Sequence, residues 1–74
     1  PSSYWARAQV KALNKDMEGA EQAYKDAIAI EPKVESSHKL LILFALSNHD
    51  QKLYDEALNQ AKKDIPGFVF SMND

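Results

Sequence analysis

The chain has 74 residues, 45% apolar and 27% charged, a balance that argues against disorder and fits one small globular domain. Nine basic against eleven acidic side chains give a formal charge of −2, which leaves no basic surplus for nucleic acid or an anionic membrane. The absence of cysteine excludes disulfides and cysteine-ligated zinc or iron–sulfur sites, and the longest apolar run, Leu40 to Leu46, is far short of the ~20 residues a membrane helix requires.

No basic n-region followed by an apolar h-region opens the chain. It starts at Pro1 rather than methionine, from which we expect a segment of something longer. A core of this size, without staples, rarely supplies more than ~3–5 kcal/mol.

Pro32 and Pro66 interrupt otherwise helical text. An internal proline loses a hydrogen bond and clashes with the preceding turn at ~3 kcal/mol, so each marks a stop. Ser2 or Ser3 is placed to cap a first helix through Tyr4 to Leu13. Arg7, Lys11 and Asn14 share one face of it, and nearly everything else is apolar, so neighbours are expected on more than one side. Asn14, Lys15 and Asp16 read as a tight connection, with Asp16 the N-cap of a second helix from Met17 to Ile30. Met17, Ala20, Tyr24, Ala27 and Ile28 recur there at helical spacing. Glu18 and Glu21 suit its N-terminal dipole, and Glu21 pairs with Lys25 at i,i+4.

Ser36 or Ser37 is expected to cap a third helix from Lys39 to about Asn48. The run from Leu40 to Leu46 also reads as a buried strand, but its alanine and leucine content and the helical text on both sides favour a sandwiched helix. A fourth helix is expected from about Leu53 to Lys63, with Tyr54, Ala57, Leu58 and Ala61 on one face. Asp55 and Glu56 would begin it and Lys62 and Lys63 end it. The fold class is therefore all-α, four helices in two antiparallel hairpins.

The tail from Ile65 to Met72 is apolar where the last face of a solenoid is normally polar. The first expectation is the start of a further helix. The second is packing back onto helix four as a cap, and the third is self-association through Phe68, Val69 and Phe70. Gly67 permits a turn that serves any of them.

Pro32 and Pro66 lie 34 residues apart, the period of the tetratricopeptide repeat. That family's pattern is Trp-x2-Leu-Gly-x2-Tyr followed by Ala-x3-Phe-x2-Ala-x4-Pro. The chain resembles it with Tyr4-x2-Arg7-Ala8-x2-Lys11 followed by Ala20-x3-Tyr24-x2-Ala27-x4-Pro32. Arg7 and Lys11 depart from it, where the family carries apolar or aromatic residues. Repeat one is assigned to residues 1–34, a degenerate or terminal repeat two to 35–66, and the tail to 67–74, within one domain of 1–74. In the second unit Leu41-x2-Phe44-Ala45 resembles the first half and Tyr54 to Ala57 the second, since Ala45 to Ala57 spans the same interval as Ala8 to Ala20. A competing register pairs Ala23, Ala27 and Pro32 with Ala57, Ala61 and Pro66. Both cannot hold.

The resemblance implies a shallow right-handed stack whose first helices line a concave groove for a peptide or partner helix. Carried over in the first register, Trp5, Gln9 and Ala12 line it from helix one, and Lys39, Ile42, Leu46 and His49 from helix three. Simple packing is the competing role for Trp5, Ile42 and Leu46. The family's clamp for C-terminal carboxylates is not matched by Lys11 and Asn14.

Catalysis needs converging acid, base or nucleophile groups. His38 and His49 are the only histidines, and no phosphate-binding glycine loop, Gly-x-Ser-x-Gly or His-Glu-x-x-His occurs. His49-Asp50 resembles a ligand pair of metal-dependent phosphohydrolases, but the further ligands that chemistry needs are lacking. The acidic residues are interleaved with basic ones and form no calcium loop. The expectation is a non-enzymatic protein-interaction module without metal or cofactor, with a self-association domain as the alternative.

Overall fold

The computed structural model describes residues 2–71; Pro1 and residues 72–74, Met72 of the tail among them, lie outside the described residues. Four α-helices follow one another: α1 Ser2–Leu13, α2 Met17–Ile30, α3 Glu35–Ser47 and α4 Gln51–Asp64. α1 packs on α2 and α3 on α4 as two antiparallel hairpins, and α2 against α3 joins them. No strand occurs among the described residues, so the run from Leu40 to Leu46 is helical.

The two hairpins are built alike, and their turns show why. Beyond α1, the Asp16 amide bonds the Lys11 carbonyl and the Lys15 amide bonds that of Ala12. Beyond α3, Asp50 bonds Ala45 and His49 bonds Leu46 in the same pattern, a Schellman motif. Lys15 and His49 take the left-handed conformation such a motif needs, with φ of 64° and 55°. Asp16 then caps α2 by accepting from the Gly19 amide at 3.0 Å, and Asp50 caps α4 by accepting from Leu53 at 3.1 Å. Each of these pairs, 15 and 49 or 16 and 50, is 34 positions apart. α2 and α4, 14 residues each, begin at 17 and 51 and so obey the same offset.

At this offset Ala23, Ala27 and Pro32 fall on Ala57, Ala61 and Pro66, whereas Ala8 and Ala20 do not fall on Ala45 and Ala57. Ala8 corresponds instead to Ile42, and both are fully buried. Small Ala20, Ala23 and Ala27 let the helices approach closely, while Tyr24, Ile28, Leu41, Ile42 and Leu53 fill the space between.

Three helix starts differ from the sequence reading. α1 begins at Ser2, so Ser3 sits inside it and the preceding position lies outside the described residues. α3 begins at Glu35 with Val34 as N-cap and no side-chain cap bond. Ser36 and Ser37 are therefore internal, and Ser37 is buried because its hydroxyl accepts from the Trp5 indole N–H at 2.9 Å. α4 begins two residues early because Asp50 caps it, so Asp55 and Glu56 fall outside its first turn.

The tail corrects the first expectation. It keeps the 34-residue offset through one more turn, the Phe68 amide bonding the Ile65 carbonyl as Val34 bonds Glu31, with Gly67 at φ 85°. Residues 69–71 then stay non-helical. Phe68 enters the core with its ring edge toward His38, centroids 6.2 Å apart, and Phe70 meets Tyr54 at 6.4 Å. His38, 0% exposed, ties this end together. Its Nε2–H donates to the Pro32 carbonyl at 2.7 Å, and Asp64 Oδ2 lies 3.6 Å from the same nitrogen. Its Nδ1 is enclosed without a hydrogen-bond partner among the described residues.

Candidate protein-binding groove

Between α1 and α3 runs an open groove of about 610 Å³. Gln9, Ala12 and Leu13 form one wall, Leu40, Leu43 and Ser47 the other, and Phe44 with Tyr24 the floor. The spacing on each helix, i, i+3, i+4 and i+7, keeps these residues on one face. Tyr24 and Phe44 are tilted against each other, with ring centroids 5.6 Å apart. Burial pushes the Tyr24 hydroxyl above its usual 10.0, so it stays protonated and adds no charge at neutral pH. No aspartate, glutamate, lysine, arginine or histidine lines the groove.

What makes this surface distinctive is apolar area left in water. Leu13 is 83% exposed and Leu43 44%. A larger depression of about 700 Å³ lies between α2 and α4 over Ile28, Leu41, Leu53 and Ala57. Those four are already buried within the chain, and its rim mixes Lys25, Glu56, Lys63 and Asp64. The α1–α3 groove differs in having no charged side chain in its lining, so the surface it offers a partner is more uniformly apolar.

Of the residues expected in the groove, Gln9 and Ala12 are there. Trp5 is half-buried and bonded to Ser37, at the seam between hairpins. Ile42 is enclosed in the interior, Leu46 packs half-buried against the core, and Lys39 pairs with Glu35 at 3.1 Å. His49 is exposed in the α3–α4 turn, where its backbone conformation rather than its ring serves the fold. Among the tail residues, Phe68 is consumed by the core, Phe70 is half-buried and Val69 is exposed.

The displacement follows from the register. Shifting Gln9 and Ala12 by 34 instead of 37 positions leads to Leu43 and Leu46 rather than Leu46 and His49, and Leu43 is indeed a groove wall. Leu13, Tyr24, Leu40, Leu43, Phe44 and Ser47 were missed. The offset between the two aspartate caps held the signal that would have found Leu43. Asp50 spends its carboxylate on the α4 cap, and no cluster of three or more His, Asp or Glu side chains is placed to hold a metal among the described residues. No protein-family model, curated protein or solved structure matches the chain.

Proposed function

We propose that the chain is a tetratricopeptide-like, non-enzymatic protein-interaction module that receives a peptide or helix between α1 and α3. The supporting observation is the exposure of Leu13 and Leu43 on facing walls of an uncharged groove. The 34-residue recurrence of caps, turns and prolines supports the family resemblance, and in that architecture the first helix of each pair faces the ligand. Gln9 and Ser47 supply polar contacts at the wall, and half-buried Phe44 supplies aromatic area with the buried Tyr24 ring behind it. Trp5 acts as a strut between hairpins rather than as the anchor.

Selection of displayed helical peptides on the immobilised chain, followed by amide chemical-shift mapping, tests this reading. The expected binders perturb Leu13, Leu40 and Leu43, and a Leu13→Asp, Leu43→Asp double variant loses them while keeping its helicity. Binders that map to α2 and α4, or no binders at all, would overturn it. Sedimentation at several concentrations distinguishes the self-association alternative: a dimer abolished by Val69→Asp but not by the groove variant would favour the tail.

A further inference from the structure

Phe44 borders a second depression besides the groove. The same ring lines an open recess of about 530 Å³ where the start of α2 meets the α3–α4 turn, beside Met17, Glu18, Glu21, His49 and Asp50. Groove and recess share the Phe44 side chain in their lining, yet differ in chemistry. The recess carries three carboxylates and no lysine or arginine. Glu18 makes no ion pair among the described residues, Glu21 meets Lys25 at 2.7 Å, and Asp50 holds the Leu53 amide. The C-terminal end of α3 adds partial negative charge at the recess, while the Asp50 carboxylate offsets the positive end of α4.

The basic residues of α1 do not cancel this field along the groove. Arg7 and Lys11 lie across that helix from Gln9, Ala12 and Leu13. Arg7 sits over the Tyr4 ring and Lys11 faces Asp16 at 3.6 Å. A partner seated on Leu13, Leu43 and Phe44 therefore runs from uncharged apolar surface into negative potential.

We propose that the groove receives a basic amphipathic helix, its apolar side chains at i, i+3 and i+4 on Leu13, Leu43 and Phe44 and a lysine or arginine cluster at one end facing Glu18 and Glu21. This rests on the groove reading above and names the chemistry of its occupant. An acidic helix meets like charge in the recess, and a neutral one leaves the carboxylates without a counter-charge.

Three synthetic amphipathic peptides with the same leucine face, ending in a lysine, a glutamine or a glutamate cluster, decide it by amide chemical-shift titration of the intact chain. The lysine peptide is expected to bind tightest, shifting Leu43 and Phe44 together with Glu18 and Glu21. The Glu18→Gln, Glu21→Gln double variant weakens it roughly three- to tenfold and leaves the glutamine peptide unchanged. The lysine preference fades at high salt. Equal binding of all three peptides overturns the inference and leaves the groove reading standing. Lysine-peptide shifts confined to α2 and α4 overturn it as well. No binding by any of the three overturns the groove reading too.

Discussion

Trp5 donates its indole N–H to the Ser37 hydroxyl at 2.9 Å, tying the first helix of one hairpin to the first helix of the next. Ser37 is fully buried, so its hydroxyl has no water to fall back on. Ser37→Ala should cost about 1 kcal/mol, the usual net worth of a neutral hydrogen bond, with more if the indole N–H stays dry. Trp5→Phe keeps the apolar contact and loses the same bond. In a double-mutant cycle followed by urea unfolding, the two changes should couple by roughly 0.5–1.5 kcal/mol. Strict additivity would mean that the bond contributes nothing to stability.

The tail offers a graded series. Phe68 is buried, Phe70 half-buried and Val69 71% exposed. Phe68→Ala should cost ~3–5 kcal/mol, because it empties the space beside His38. Phe70→Ala removes one edge-to-face partner of Tyr54 and should cost ~1–2 kcal/mol. Val69→Ala should fall within about 0.5 kcal/mol of the parent chain. Unfolding midpoints in urea rank the three. Equal, small effects would show that the tail is not part of the cooperative unit.

Much of this fold was legible in the sequence because its stops and caps are local. Pro32 and Pro66 end hairpins, and Asp16 begins α2 through a bond to an amide three residues away. The second hairpin carries the same signal in Asp50, although beside His49 that residue also has the look of a metal-ligand pair. Alanine spacing misled, because small residues recur every few positions wherever helices approach closely. The groove wall on α3 was hidden for another reason. From Leu40 to Leu46 every residue is apolar, so periodicity does not distinguish buried Ile42 from exposed Leu43. Likewise, the burial of Ser37 is decided by Trp5, 32 positions earlier, and no local rule reaches that far.

Tyr24 gives the chain an alkaline weakness. Its hydroxyl titrates above 10.0 in the fold, because burial penalises the phenolate. The unfolded chain loses that proton first, so below about pH 10 the group contributes its full share and above it stability declines until the folded value is passed. Tyr24→Phe removes the titration. Thermal melts between neutral pH and strongly alkaline pH should show a steeper fall for the parent chain than for the variant. Parallel declines would assign the loss to other groups.

The two hairpin turns carry non-glycine residues where the backbone is left-handed, Lys15 and His49. A side chain in that region costs roughly 1–2 kcal/mol, and glycine relieves it at the expense of greater unfolded-state freedom. His49→Gly and Lys15→Gly should therefore each stabilise the chain by about 0.5–1 kcal/mol. Because the sites sit in separate turns of the same geometry, their effects should add. Removing the adjacent caps should act in the opposite direction, with Asp16→Ala and Asp50→Ala each costing about 1 kcal/mol. Cap and turn in one hairpin share the same chain reversal, so His49→Gly should recover part of the loss in Asp50→Ala, and Lys15→Gly a similar part of the loss in Asp16→Ala. Chemical denaturation of the single and paired variants separates these terms. Destabilisation by His49→Gly alone would mean that the imidazole makes a contact worth more than the backbone strain it brings, and would return that ring to the recess as a functional group.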